Sequence, residues 1–122
     1  MIEIKGIDSN MIANNLKPYE PTHPGEILKE EIEYRGISQK FLAEKMEVQY
    51  TMLNDILNCK RPVNTKFALL FEAALGIPAY ILTGMQSRYD MQMAKNNKLF
   101  IDKLKKVRRN ATKSKIYSAT YA

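Results

Sequence analysis

The strongest constraint on the fold of this chain is its series of short helical patterns, each bounded by a residue that starts or stops a helix. From Pro24 onward, apolar side chains recur at the three- and four-residue spacing of one helix face, and no segment of this body alternates as a half-buried strand does. Prolines, side-chain caps and glycines interrupt the pattern repeatedly. The sequence therefore predicts an all-α protein built from several short helices.

These boundary residues divide the body into five predicted helices. Proline suits a helix start, where its missing N–H is not needed, and glycine suits a helix end, where it accepts a left-handed backbone. The predicted helices are Pro24 to a stop at Gly36, 39–46 capped by Ser38, about 50–58, 65–75 between Asn64 and Gly76, and a fifth opened by Pro78. The fourth is apolar nearly all round, so we expect it to be the most buried. The segment LFIDKLKKV either continues the fifth helix or forms a sixth.

The same boundaries predict three parts of the chain. Residues 1–22 contain two prolines and a polar run, and they are predicted to be an N-terminal arm. Residues 23–96 form the predicted helical domain, and residues 97–122 form a basic amphipathic extension and tail. The last twelve residues, ATKSKIYSATYA, are poor in helix formers, so we expect them to be disordered or weakly extended.

Charge is distributed unevenly between these parts. Residues 1–93 carry ten Lys/Arg and twelve Asp/Glu, whereas residues 94–122 carry nine Lys/Arg and a single acid, Asp102. A basic segment behind a mildly acidic body is typical of a tail that binds nucleic acid or an acidic protein. The alternative is a solvated tail that only aids solubility.

Several classes of protein are disfavoured by what the sequence lacks. It has no apolar run long enough for a membrane span, and its first residues lack the basic and apolar regions of an export signal. One cysteine and one histidine give no disulfide framework and no metal cluster. No catalytic triad, zinc-protease motif or phosphate-binding glycine loop appears. We therefore expect a cytoplasmic protein with no membrane attachment that uses no cofactor and is not an enzyme.

The second and third predicted helices have the spacing of a helix-turn-helix. The small side chain of Ala43 lets the two helices cross closely, and Leu53 and Ile56 anchor the later helix against the earlier one. In such units the second helix enters the major groove of DNA with its N-terminal residues towards the base edges. We call the predicted helix 50–58 the reading helix.

At this point the sequence resembles a known family. SQKFLAEKM…TMLNDILNCKRPVN is similar to the phage-repressor-like (XRE) helix-turn-helix pattern, and HPGEIL, KRPV, ALGIPA and a YD pair add the features of the HigA subgroup of antitoxins. The resemblance covers about residues 18–92. It implies a five-helix, phage-repressor-like DNA-binding domain that dimerises, represses its own operon and neutralises a RelE-like ribonuclease toxin.

Three positions depart from the pattern of that family. Glu47 and Cys59 stand where it usually has glycine with positive φ, and Gln49 replaces a serine that caps the reading helix. A residue with a Cβ in left-handed geometry costs roughly 1 kcal/mol. We therefore expect a modest loss of stability at these two turns.

Two sets of polar residues are candidate contacts to double-stranded DNA. Glutamine and asparagine can bond bidentately to adenine, and threonine can meet a thymine methyl group. The predicted base contacts are Gln49, Tyr50, Thr51 and Asn54. The predicted phosphate contacts are Gln39, Lys40, Lys60 and Arg61, with Lys45 and Lys66 as further candidates. Asp55 would oppose phosphate binding unless it accepts from a cytosine amine or caps a neighbour, and an ordinary solvated helix face is the alternative for the whole set.

The resemblance favours a homodimer on a palindromic operator, with two reading helices about 34 Å apart. Two other functions stay open. The acidic body, Asp55 and the missing glycines are also consistent with an antitoxin that binds its protein partner but has lost DNA affinity. A stand-alone regulator without a toxin is the third interpretation.

Two further residues have local interpretations. His23, beside Pro24 at a helix start, is expected to be a capping or surface residue. Cys59 is followed by Lys60 and Arg61, whose charges would lower its pKa and make it redox-sensitive, while a plain loop cysteine is the simpler interpretation.

Overall fold

The structure, a computed structural model, describes residues 21–114. In this range the chain forms six α-helices and no strand, which confirms the all-α prediction. The helices are α1 (Pro24–Tyr34), α2 (Gln39–Met46), α3 (Tyr50–Leu57), α4 (Thr65–Leu75), α5 (Ala79–Asn96) and α6 (Lys98–Lys113). Residues 1–20 of the predicted arm and residues 115–122 of the predicted tail lie outside the described residues.

The predicted caps form as local chemistry requires. The Ser38 hydroxyl accepts from the Phe41 N–H at 3.0 Å, and the Asn64 side chain accepts from the Phe67 N–H at 2.8 Å. Each bond satisfies a backbone donor that has no partner within the first turn of its helix. Gly76 ends α4 with a φ of 79°, a conformation that only glycine adopts without cost.

The basic extension begins with a separate sixth helix. Asn97 has an extended backbone, and its side chain accepts from the Phe100 N–H at 3.0 Å, so α5 ends and α6 begins there. This resolves the alternative between a long fifth helix and a sixth one. Helix α6 also includes residues 111–113, so the expectation that the last twelve residues are disordered or extended is wrong for these three. Two of these three residues, Ala111 and Lys113, are good helix formers, so the helix continues through them.

The described residues belong to two compact units, residues 21–90 and a second unit that includes residues 91–114. In the first unit α2 packs against α3 and α4, and α1 packs against α3. The core of this unit is formed by fourteen buried apolar side chains, which are Leu28, Ile32, Leu42, Ala43, Met46, Leu53, Ile56, Leu57, Val63, Phe67, Ala68, Phe71, Leu75 and Leu82. None of the helices within residues 21–114 has the length and apolar character that crossing a membrane requires.

Helix α4 differs from its predicted burial. Phe71 is fully buried, but Leu69 on the same helix is 53% exposed, and Ala73 and Ala74 are exposed as well. The expectation that α4 is the most buried helix is therefore wrong. Its apolar residues surround the axis, but those at Leu69, Ala73 and Ala74 are left open to solvent.

Candidate nucleic-acid interface

Helices α2 and α3 form the predicted helix-turn-helix. Ala43 is 3% exposed, and Leu53 and Ile56 are fully buried, so the three residues hold the crossing of the two helices together. In the turn between them the Val48 N–H donates to the Ala43 carbonyl at 3.0 Å. A small residue at the crossing and large apolar residues on the second helix are thus the physical basis of the unit.

The N-terminal end of α3 presents three of the predicted base contacts to solvent. Gln49 is the N-cap residue, but its side chain makes no capping hydrogen bond and is exposed. Tyr50 is 49% exposed and Thr51 is exposed. These side chains are therefore accessible at the end of the helix that such proteins direct at base edges.

The fourth predicted base contact, Asn54, takes part in a chain of hydrogen bonds that joins three helices. Its Nδ2 donates to Gln39 Oε1 at 2.8 Å, and its Oδ1 accepts from Asn58 Nδ2 at 3.1 Å. Lys29 Nζ of α1 then donates to Asn58 Oδ1 at 3.3 Å. This hydrogen-bond chain includes two predicted DNA contacts, Gln39 and Asn54. It also includes Lys29 and Asn58, which the sequence did not single out.

These hydrogen bonds orient the side-chain amides of Asn54 and Gln39 but do not use all of their donors and acceptors. An asparagine amide has two N–H donors and two oxygen lone pairs, and Asn54 uses one of each. One donor and one acceptor therefore remain for a base edge. Gln39 uses only its oxygen, so its NH2 group stays available for a phosphate.

Asp55 pairs with Arg61 across the end of α3. Arg61 Nη2 lies 3.7 Å from Asp55 Oδ2, and the side chains are 45% and 40% exposed respectively. From the sequence, Asp55 was expected either to accept from a cytosine amine or to cap a neighbouring residue. In the structure its partner is instead Arg61, a residue that was predicted to contact phosphate. The pair therefore partly neutralises one of the cations expected at the interface.

The other predicted cations lie on the surface. Lys40 and Lys60 are exposed, as are the further candidates Lys45 and Lys66. The ammonium of Lys45 lies 5.3 Å from the centre of the Phe41 ring, a cation–π distance. Across residues 21–114 no group of three His, Cys, Asp or Glu side chains is placed to hold a metal ion.

Comparison with known proteins identifies the family. No family model matches the chain. Over 81 residues it is 35% identical to virulence-associated protein I of Dichelobacter nodosus, a match that covers 66% of this chain and 75% of that protein. An addiction-module antidote protein of the HigA family from Coxiella burnetii is 29% identical, with a TM-score of 0.59 over 78% of this chain and 95% of that one.

A structure of the Pseudomonas aeruginosa antitoxin HigA with the higBA promoter gives the decisive match. It is 31% identical, with a TM-score of 0.58 over 61% of this chain and 82% of that one. The chain belongs to the HigA family of antitoxins. HigA antitoxins are XRE-type helix-turn-helix proteins that bind DNA and are not enzymes, so the predicted family and the predicted absence of enzymatic activity are confirmed.

Both departures from the HigA glycine pattern have the backbone geometry that glycine would suit. Glu47 has a φ of 57° and Cys59 a φ of 64°, and they are the non-glycine residues with positive φ in the described part of the chain. Glu47 still closes α2, because its N–H donates to the carbonyls of Ala43 and Glu44. The helix-turn-helix register of this HigA chain is therefore retained despite both substitutions.

Buried polar groups support the loop that carries Lys60 and Arg61 in this HigA chain. Gln86, which is 7% exposed, accepts from the Val63 N–H at 2.8 Å and donates to Asp90 Oδ1 at 2.9 Å. An unpaired Val63 N–H at this depth would cost about 1 to 3 kcal/mol. The bond therefore fixes the end of the basic loop against α5, and only the folded structure identifies Gln86 as its anchor.

His23 lies next to this loop anchor. Its Nδ1 accepts from the Gly25 N–H at 2.9 Å, and its ring packs edge-on against Tyr89 with a centroid distance of 4.8 Å. It is 3% exposed, so the predicted capping role is confirmed and the surface alternative is wrong. Burial lowers the pKa of His23, although the charges of Asp90 and Glu26 act in the opposite direction.

Of the two interpretations of Cys59, the structure supports the simpler one, a plain loop cysteine. Burial raises its pKa and the charge of Glu26 raises it further, while a backbone hydrogen bond from Glu26 and the charge of Lys29 lower it. The interpretation that Lys60 and Arg61 lower the pKa is wrong. Their charged groups face solvent, whereas the thiol is partly desolvated beside an acid.

Proposed function

We propose that this HigA-family chain is a sequence-specific repressor that binds double-stranded operator DNA through α3 and acts as the antitoxin of a neighbouring toxin. The observation that carries the proposal is the exposed N-terminal end of α3, with Asn54 oriented beside it by Gln39. The P. aeruginosa HigA of the same fold was solved with the higBA promoter, which supports DNA as the partner.

Within this proposal the predicted contacts have separate roles. Gln49, Tyr50, Thr51 and Asn54 read bases, and Gln39, Lys40, Lys60 and Arg61 bind phosphates. Direct readout needs donors and acceptors at base edges, whereas phosphate contacts set position and affinity. On DNA, Arg61 exchanges Asp55 for a phosphate, and the Gln39 NH2 donates to another.

We also propose that the chain is a homodimer that recognises a palindromic operator. Three apolar side chains on α4 and at the start of α5 are exposed, namely Leu69 at 53%, Tyr80 at 76% and Ile81 at 41%. A contiguous apolar patch on a surface often marks an interface, and we propose that these three residues contribute to one. A two-fold dimer would place its reading helices about one DNA turn, roughly 34 Å, apart.

Family membership supports the remaining parts of the proposal. A RelE-like ribonuclease is the toxin that the HigA resemblance implies, and a repressor of its own operon acts in the cytoplasm, where the chromosome lies. We assign sequence recognition to the helix-turn-helix DNA-binding domain 23–96, which residues 97–122 follow as a basic extension. A small basic protein encoded next to this chain would support the antitoxin role over a stand-alone regulator.

The test is an affinity measurement on the upstream DNA of the chain and on a scrambled duplex of equal length. Asn54→Ala should reduce the preference for upstream DNA by about 1 to 3 kcal/mol, because it removes a base contact. Arg61→Ala should weaken both duplexes and reduce the salt slope by about one unit. Asn110→Ala, which changes an exposed asparagine on α6, is the control and should bind as the parent does.

Equal binding of both duplexes by the parent chain would contradict the proposal. Tight capture of the neighbouring ribonuclease in the same experiment would then establish the second candidate, an antitoxin that acts on its protein partner alone. The Asp55–Arg61 pair favours that candidate, because it reduces the positive charge at the end of α3.

A further inference from the structure

The unit that contains the helix-turn-helix has little positive charge to offer a polyanion. Residues 21–90 carry eight Lys/Arg and nine Asp/Glu. Two of these cations are paired with acids, since Arg35 bonds Glu31 at 2.6 Å and Arg61 contacts Asp55. Non-specific affinity for DNA comes from cations that neutralise phosphates and release counterions. Most of that charge must therefore come from elsewhere in the chain.

Helix α6 is the most basic element in the described part of the chain. It carries seven exposed cations and one acid, Asp102. The cations are Lys98, Lys103, Lys105, Lys106, Arg108, Arg109 and Lys113. The ion pairs found within residues 21–114 involve none of them. None of these seven cations is therefore held in an ion pair within the described part of the chain.

Four of these cations share one face of α6, which we call the basic face. Lys105, Arg109 and Lys113 recur every four residues, and Lys106 lies beside them. Cations four residues apart lie about 6 Å apart along the axis. The basic face is thus a row of positive charge about two turns long that is suited to the phosphates of a duplex.

The opposite face of α6 makes a membrane surface the less suitable partner. That face carries five apolar side chains, which are Phe100, Ile101, Leu104, Val107 and Ala111. Ile101, Leu104 and Ala111 are already partly buried, whereas the cations of the basic face are exposed. A helix that binds in a lipid interface needs its apolar face free. Three of the five apolar side chains are thus already partly covered, while Phe100 and Val107 remain 42% and 51% exposed, so only part of the apolar face is free for a lipid interface.

We propose that the basic face of α6 binds the phosphate backbone of duplex DNA without reading its sequence, and that it supplies most of the electrostatic affinity of the chain. The inference rests on the proposed function, because it takes DNA as the partner. In this arrangement α3 provides sequence preference and α6 provides salt-dependent affinity. Each α6 then neutralises about four phosphates, one for each cation of the basic face.

The experiment uses the full chain with all four cations of the basic face replaced, Lys105→Gln, Lys106→Gln, Arg109→Gln and Lys113→Gln. Its affinity for the upstream duplex and for the scrambled duplex is measured over a series of salt concentrations. The salt slope should fall by about 3 to 4 units for each bound chain, with a loss of affinity of roughly 1,000- to 10,000-fold near 0.1 M salt. The ratio between the two duplexes should stay as in the parent.

A charge-preserving variant is the matched control. Lys105→Arg, Lys106→Arg, Arg109→Lys and Lys113→Arg should keep the parent slope. The double variant Lys105→Gln with Arg109→Gln should give half the change in slope, which tests the effect with less disturbance of the helix. Circular dichroism should give the same helix content for all variants.

An unchanged salt slope in the four-residue glutamine variant overturns the inference. Binding of the same variants to phosphatidylglycerol vesicles is measured alongside, and a loss of vesicle binding does not rescue the inference if the salt slope on DNA is unchanged. The proposed function fails by a different result, namely equal affinity of the parent chain for upstream and scrambled DNA. In that case the glutamine variant would still lose salt-dependent affinity for the scrambled duplex if the inference is right. The two failures are therefore distinguishable.

Discussion

Glu47 closes the turn of the helix-turn-helix with a φ of 57°, in a conformation that a residue with a Cβ adopts at a cost of roughly 1 kcal/mol. Glu47→Gly should therefore raise the free energy of unfolding by up to about 1 kcal/mol, less the entropy that glycine adds to the unfolded chain. Urea denaturation at neutral pH measures the change.

The control for this substitution is the neighbouring exposed residue Glu44, which lies inside α2. Glu44→Gly should lower stability by roughly 1 kcal/mol, because glycine is a poor helix former. The two substitutions should thus change the free energy of unfolding in opposite directions. This difference separates relief of left-handed backbone strain at Glu47 from a general effect of glycine. Equal destabilisation by both variants would show that Glu47 is not strained.

The single histidine of the chain makes stability depend on pH. Burial lowers the pKa of His23 in the folded protein below its ordinary value of 6.5. At pH values between the folded and the unfolded pKa, the unfolded chain therefore binds more protons than the folded chain. The contribution of His23 to the free energy of unfolding should be fully present above about pH 6.5 and should be lost as the pH falls below that value. His23→Asn retains a capping side chain and should lose this dependence between about pH 5.5 and 7, as measured by urea denaturation. A parent chain with constant stability over that range would contradict the assignment.

At the scale of single residues, the sequence predicted what depends on near neighbours. Ser38 and Asn64 cap their helices because donor and acceptor are three residues apart, and the left-handed geometry of Glu47 was implied by the glycine that the HigA family usually has at that position. The bond between Asn54 and Gln39 spans fifteen residues and two helices. It depends on how the helices cross, which no local pattern encodes.

Helix α3 and the basic loop act together through the pair formed by Asp55 and Arg61. Because the two charges are exposed, their interaction is worth no more than about 1 kcal/mol. Asp55→Asn removes the acid and frees Arg61 for a phosphate. It should tighten binding to upstream and scrambled DNA alike, by about fivefold or less.

The control for Asp55→Asn is Glu72→Gln, which removes one exposed negative charge from α4. Affinities for the two duplexes are measured at one low salt concentration, where a change in net charge has its largest effect. A gain from Asp55→Asn no larger than that from Glu72→Gln would show that Asp55 does not hold Arg61 away from DNA.

The helix boundaries followed from the sequence, but the burial of the elements did not. Asn64 and Gly76 mark where α4 begins and ends, and its apolar residues on nearly all sides predicted that it would be the most buried helix. The fold leaves the side chain of Leu69 on this helix 53% exposed. Likewise, Gln86 gains its role only when α5 comes close to Val63. Both depend on how the helices assemble.

For the whole molecule, the distribution of charge and the exposed apolar groups suggest separate surfaces for separate tasks. The residues proposed to read bases lie in a unit with slightly more acids than bases, and seven cations that are in no ion pair within the described residues lie on α6. Sequence preference and electrostatic affinity should therefore respond to different substitutions. The exposed side chains on α4 and early α5 belong to neither set, which leaves them for contact between two chains.

Tyr80, 76% exposed at the start of α5, tests that contact. Tyr80→Glu would bury a charge in a dimer interface, where a carboxylate without a partner is strongly unfavourable. Sedimentation should then give half the mass of the parent chain, and affinity for the palindromic operator should fall to that for a single half-site. Tyr34→Glu is the matched control, because Tyr34 is 89% exposed on α1 and should leave both measurements unchanged. If the dimer survives Tyr80→Glu, its interface lies on another surface. If the variant is a monomer with full operator affinity, recognition needs only one reading helix.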